Sequence, residues 1–405
     1  MTRERVSARR STRSSAPVRG VRFGRVAGIE LIADWSLIII FVLVLANLGL
    51  GVIPAWHPDW SPLLVWGVAL GAAVLFFASV LAHELSHALV GRAQGIPVRR
   101  ITLFLFGGMA HTEREPPSPR AELTMAAAGP ITSIAIGIAA SAGAAALMDE
   151  SLATTSDPLR AVAGLGPIGT LLLWLGPINL LLGVFNLVPG FPLDGGRVLR
   201  AILWAATKDL EKATRWASWG GQLVGGLLIA LGVSSLFSGG LGQGLWLMLI
   251  GWFLLNAARA SYQQTVIERA LSDTRVAELM RRTIASVPPE LPVSTLVSEH
   301  VMGTDQQCFP VVIEGHLEGL VCLQDVRRVP RDAWETTSVR DVMTPAGALE
   351  TVAADQPATD ALRKLGERDV DQVPVVERDG SLLGLVRRQD ILRWLSLHTG
   401  AKVAG

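Results

Sequence analysis

Six stretches of about 20 mostly apolar residues, near 33–54, 62–92, 122–148, 164–188, 217–238 and 241–259, run through the first two thirds of the chain. Each is long enough to cross the hydrocarbon of a bilayer as a helix. From about Leu271 the long apolar runs stop and short alternating segments with charges begin. That second part repeats internally: Pro310-Val311-Val312 recurs as Pro374-Val375-Val376, Gly319-Leu320-Val321 as Gly384-Leu385-Val386, and Gln324-Asp325 as Gln389-Asp390. Offsets of 64 and 65 residues mark two copies of one unit. Each copy reads helix, strand, helix, strand, strand, helix, with strands joined at Glu314-Gly315-His316 or Arg378-Asp379-Gly380. The pattern predicts a polytopic α-helical membrane protein with six transmembrane helices over residues 29–262. A cytosolic α+β tandem domain follows, at 272–333 and 338–397.

Composition agrees with a membrane location. The 405 residues are 50% hydrophobic and only 18% charged, and the mean hydropathy is +0.41. Such a chain is too apolar to dissolve as one globule. Basic and acidic residues balance at 36 and 35, so no overall charge favours nucleic acid. The balance is uneven along the chain. Residues 1–28 hold eight arginines against one acid, Glu4, which reads as a disordered basic arm that marks topology or meets anionic lipid. The loops at 92–121 and 195–215 are also basic, whereas the intervening connections carry Asp59, and Asp149, Glu150 and Asp157 against a lone Arg160. Because Arg and Lys stay on the cytoplasmic side, both the N-terminus and the C-terminal domain are expected in the cytoplasm of a multi-pass cell-membrane protein. Cys308 and Cys322 fall in that cytosolic part and are expected to be reduced.

The strongest local signal is His83-Glu84-Leu85-Ser86-His87, near the end of the second span. Residues four apart share a helix face, so both imidazoles can grip one zinc ion while Glu84 sits beside them as a general base. Two histidines and a glutamate in an apolar helix are costly unless they serve a site. A zinc site of this type needs a third protein ligand. The best candidate is Asp194, in Asn186-Leu187-Val188-Pro189-Gly190-Phe191-Pro192-Leu193-Asp194-Gly195-Gly196. Two prolines end the fourth span there, and irregular backbone at membrane depth is tolerated only where it is buried or lines a wet cavity.

The HExxH helix, the later Asn-Leu-Val-Pro and Pro-Leu-Asp-Gly-Gly segment, and the six spans resemble the site-2 protease family of intramembrane zinc metalloproteases. The repeated unit resembles a pair of cystathionine-β-synthase (CBS) domains. The resemblance covers residues from about 25 to 396. It implies one zinc per chain held by His83, His87 and Asp194, with Glu84 as the catalytic base. It further implies that Asn186, with Asn179 upstream, contacts the substrate backbone or the developing oxyanion. Ile101–Thr112, with Gly107 and Gly108, would form a membrane-dipping hairpin beside the cleft, and Gly129-Pro130 matches a Gly-Pro of the third span. The expected substrate is a single-span transmembrane protein, such as an anti-sigma factor.

CBS pairs commonly hold adenine nucleotides, using a Ser or Thr and an Asp three residues later. The matching aspartates are Asp325 and Asp390, but Cys322 and Arg387 stand where hydroxyls are expected. Arg387 could instead contact a phosphate, and the pair could equally serve as a homodimerisation or docking module. Two rival classes remain open from sequence: a transporter or channel gated by the CBS pair, and an idle membrane scaffold.

Overall fold

Ser61-Pro62, Ser118-Pro119 and Gly166-Pro167 each place a preorganised proline at the first helical position, and a spanning helix begins at each. The computed structural model describes residues 20–104, 107–112, 116–148, 162–302, 304–367 and 370–403. The acidic connection from Asp149 to Arg160 and the arm up to residue 19 lie outside the described residues. Among the described residues, six helices are long and apolar enough to cross a membrane. They are α1 (Ser36–Trp56), α2 (Pro62–Ala93), α3 (Pro119–Ala146), α4 (Pro167–Asn186), α6 (Leu210–Phe237) and α7 (Leu241–Ser272). Between α4 and α6 lies α5 (Asp194–Thr207), a 14-residue helix inside a stretch expected to be a basic loop. The chain divides into two compact units, with the division along the sequence falling between Gln263 and Gln264 on α7.

Large side chains such as Ile39, Leu63, Ile131, Leu223 and Trp252 point outward, whereas small residues line the helix crossings. A Cβ at Gly137 would lie 2.9 Å from the Gly176 carbonyl, and one at Gly183 would lie 2.9 Å from that of Pro130. This inversion of a soluble protein is what lipid as solvent demands. On the α1–α2 connection, His57 is 3% exposed. Its ring stacks on Trp60 at 3.8 Å, and its Nε2 shares a 2.7 Å hydrogen bond with Thr170 Oγ1 on α4.

Residues 20–28 correct the expectation of an unstructured arm. Strand β1 (Gly20–Val26) pairs antiparallel with β2 (Ile29–Asp34), whose Ile29, Leu31 and Ile32 are buried. Strand β2 runs parallel to β3 (Val98–Phe104), and β3 pairs antiparallel with β4 (Gly107–Thr112). The predicted hairpin is therefore half of a four-stranded sheet of order β1-β2-β3-β4, with β4 at one edge. Arg92, at the end of α2, donates a hydrogen bond to the Ala27 carbonyl in the β1–β2 turn.

In the C-terminal unit, β5 (Cys308–Ile313) pairs with β6 (His316–Cys322), and β8 (Gln372–Val376) with β9 (Leu382–Arg387). Parallel bridges Val287–Val311 and Val352–Val375 repeat at the same place in each copy. A short β7 (Thr344–Pro345) extends the first sheet. Helices α8 (Ala358–Glu367) and α9 (Arg388–Val403) cover the second copy, whose core includes Leu365, Val375, Val386 and Ile391. The cysteines differ from expectation. Cys308 and Cys322 sit directly opposite in the β5–β6 register, with Cα atoms 3.9 Å apart, and form a disulfide. The compartment argument left out strand register, which brings two residues 14 apart in sequence face to face across the hairpin.

Candidate active site

The HExxH segment lies on α2, and the 3.6-residue repeat turns His83 and His87 to one face. Both are buried, at 4% and 5% exposed. Asp194 arrives from elsewhere. α4 ends at Asn186, two prolines follow, and the chain restarts as α5 with Asp194 in its first turn. A helix N-terminus favours a carboxylate. Asp194 Oδ2 lies 3.0 Å from His83 Nε2 and 3.1 Å from His87 Nε2, and the two nitrogens are 3.2 Å apart.

The donor set fits a zinc ion. His87 Nδ1 lies 2.7 Å from the Met125 carbonyl, which can only accept, so the proton sits on Nδ1 and Nε2 presents a lone pair. His83 Nδ1 is engaged by Ser133 Oγ at 2.9 Å. A carboxylate oxygen and at least one imidazole lone pair thus converge on the same point, an arrangement that calls for a cation. Tetrahedral bonds of about 2.0–2.1 Å separate neighbouring ligand atoms by roughly 3.3 Å, close to what is seen. Among the described residues, His83, His87 and Asp194 are the one group with this character.

Two glycines let other elements close on the cluster. A Cβ at Gly129 on α3 would lie 2.2 Å from His87 Nε2 and 2.5 Å from His83 Nε2. One at Gly108 on β4 would lie 2.3 Å from Glu84 Cγ, and the Gly108 backbone N–H donates to the Glu84 carboxylate. The edge strand therefore touches the expected base directly.

The other expected residues are placed less simply. Asn186 is half-buried at the end of α4, and its Nδ2 donates to the Leu182 carbonyl at 2.9 Å. Asn179 is fully buried. Its Nδ2 donates to the Leu175 carbonyl, while its Oδ1 accepts no hydrogen bond among the described residues. In this arrangement it presents no surface to a substrate. Sequence reasoning missed Met125, Ser133 and the buried pair Glu122–Arg200, in which Arg200 Nε donates to Glu122 Oε1 at 2.6 Å. Glu122 stands at the edge of an apolar stretch and Arg200 in a basic one, so each had a sufficient local reading.

In the C-terminal unit, Arg387 and Asp390 are joined by two hydrogen bonds, at 2.8 and 3.0 Å, and Asp305 and Arg281 lie beside them. Burial pushes the Asp390 pKa up, but the Arg387 guanidinium outweighs it and holds the carboxyl below its ordinary range. Asp325 accepts from the Cys322 N–H at 3.0 Å, with Arg328 3.6 Å away. The residues matched to nucleotide contacts are engaged with protein groups.

The sequence profile described as Peptidase family M50 matches residues 71–228, and the CBS domain profile matches 276–332 and 339–397. A protein of Mycobacterium tuberculosis named "Putative zinc metalloprotease Rip3" is 34% identical over 93% of both chains. The chain belongs to peptidase family M50, the site-2 proteases. A Synechocystis protein, "Putative zinc metalloprotease sll0528", is 33% identical over 93% of this chain and 95% of its own. The solved "Site-2 Protease from Methanocaldococcus jannaschii" is 27% identical, covering 60% of this chain and 95% of that one with a TM-score of 0.40. This M50 peptidase is therefore a membrane metalloendopeptidase with six candidate spans and a C-terminal CBS pair, of a family that implies zinc.

Proposed function

We propose that this peptidase hydrolyses peptide bonds within or near a transmembrane helix of a single-span membrane protein, such as an anti-sigma factor. His83, His87 and Asp194 hold the zinc and Glu84 is the base. The observation that carries this reading is the convergence of two imidazoles from a spanning helix and a carboxylate from beyond the fourth span on one point. Arg92 marks the polar end of α2, nine residues, about 13 Å, beyond His83. The centre is thus set inside the membrane toward the basic, cytoplasmic side. The N-terminus and the CBS pair lie on that same side.

Zinc, when bound, acidifies water and polarises a carbonyl. Glu84 accepts the proton from the attacking water and returns it to the leaving amide nitrogen. Asn186, half-buried at the end of α4, would exchange its bond to the Leu182 carbonyl for one to the substrate. A helical substrate must unwind before its carbonyl is reachable, and β4, the edge strand among the described residues, offers replacement hydrogen bonds beside Glu84. The CBS pair acts as a dimerisation or regulatory module. Arg387 already bonds both oxygens of Asp390, so a ribose at that position would compete with this pair.

The test is cleavage of a single-span substrate by the full chain in lipid, with Glu84→Gln as the comparison. Loss of cleavage with zinc retained supports the reading, and a product end within the spanning segment fixes the site. Cleavage that survives Glu84→Gln refutes it.

A further inference from the structure

The two halves of the metal cluster come from different elements, and α3 stands behind both. On the histidine side, α3 supplies the Met125 carbonyl to His87, Ser133 to His83, and the gap at Gly129. On the aspartate side it supplies Glu122, one helical turn before Met125. Glu122 is 1% exposed and Arg200, on α5, is 6% exposed. Arg200 donates to Glu122 Oε1 from Nε and Nη2, and its guanidinium lies 5.4 Å from the Phe191 ring centroid. Phe191 precedes Asp194 by three residues and Arg200 follows it by six, so the arginine grips both ends of the segment that carries the carboxylate.

A buried ion pair is weak evidence for stability, because desolvating two charges offsets their attraction. This one is also incompletely satisfied, since Glu122 Oε2 accepts no hydrogen bond among the described residues. Apolar residues of similar volume would fill the space at less cost. What they would not supply is a fixed distance between α3 and α5. We propose that Glu122 and Arg200 are positioning residues that hold Asp194 against His83 and His87, so that metal affinity depends on them beyond their effect on folding. This rests on the reading of those three residues as the metal set.

The experiment uses the purified full chain in detergent, titrated with zinc by competition and with cobalt by visible absorption. Four proteins are compared: wild type, the double variant Glu122→Leu with Arg200→Met, Arg200→Lys, and Thr170→Val, which breaks the buried hydrogen bond between His57 on the α1–α2 connection and Thr170 on α4. The double variant is expected to keep the metal-free unfolding midpoint near wild type. Its zinc affinity should fall about 10–100-fold, the range for lost outer contacts around a metal, with an altered cobalt spectrum. Arg200→Lys keeps the charge but loses the fork and is expected to fall between. Thr170→Val is expected to lower the midpoint and leave both metal readouts alone. Wild-type zinc affinity and cobalt spectrum in the double variant, or in Arg200→Lys if the double variant does not fold, overturn the proposal. So does a loss in Thr170→Val equal to that in Arg200→Lys, which would tie affinity to general stability. Failure of the wild type itself to bind either ion removes the metal reading, and the proposal with it.

Discussion

Gly129→Ala adds one methyl group where the structure leaves no room for it. The new Cβ would stand 2.2 Å from His87 Nε2 and 2.5 Å from His83 Nε2. Ordinary non-bonded contact begins near ~3.5 Å, so His87 must retreat by about an ångström. Metal sites tolerate errors of about ±0.2 Å in ligand position. The conflict can also be stated without moving the rings. With the nitrogens 3.2 Å apart, an ion bonded to both at about 2.0–2.1 Å could lie no farther than about 3 Å from that methyl. Zinc affinity should therefore fall by at least about 100-fold, a loss of roughly 3 kcal/mol. The metal-free protein should not suffer in proportion. Alanine is the better helix former by about 1 kcal/mol, and the His87–Met125 hydrogen bond that a rotated ring gives up is worth about the same. The expected signature is a metal-free unfolding free energy within about 1 kcal/mol of wild type, with the zinc dissociation constant raised at least about 100-fold and cleavage weakened at limiting zinc. Competition titration with a zinc chelator and thermal melts of the metal-free protein read the two quantities. Wild-type zinc affinity in Gly129→Ala would refute the reasoning, and so would collapse of the metal-free fold, because the glycine would then serve packing alone.

Gly108→Ala places a Cβ 2.3 Å from Glu84 Cγ and 2.6 Å from Cδ, so it should displace the base while sparing the ligands. Turnover should drop about 10²-fold or more with zinc still at one per chain, and near-normal cleavage would show that β4 does not set Glu84. The third prediction concerns pH. Burial holds the His57 pKa below its ordinary 6.5, so the unfolded chain binds the proton more tightly than the native one. The stability this histidine contributes is present above the unfolded pKa of 6.5 and is lost as pH falls through the lower native value. Thermal midpoints from pH 8 to 5 should decline more steeply in wild type than in His57→Gln, and parallel curves would count against it.

What could be read from the sequence, and what could not, divides on whether a signal was local. The apolar runs gave the six spans because twenty consecutive residues speak for themselves, although α7 runs on to Ser272, well past the apolar stretch that predicted it. His83, Glu84 and His87 were visible as polar residues at helical spacing in an apolar stretch. The CBS copies were visible through repetition. The β1–β2 pair was not, because arginine-rich sequence resembles a solvated arm and its parallel support in β3 lies about 70 residues away. α5 was hidden by Gly195 and Gly196 at its start, and the Cys308–Cys322 pair by a compartment argument that ignored strand register.

The same division explains why Glu122 and Arg200 escaped notice while Asp194 did not. Asp194 was sought because the two histidines within a span need a third protein ligand, whereas nothing in the sequence asks for a partner to Glu122 or Arg200. A charge at the end of a span meets water there, and an arginine also marks the cytoplasmic side. Glu122 and Arg200 each satisfied that local account, and only their separation of 78 residues conceals that they satisfy each other. Charge at a span boundary is therefore ambiguous in a way that charge mid-span is not. A boundary arginine kept only for topology should tolerate Lys, which carries the same charge on another shape. One that grips a buried glutamate and an aromatic ring should not.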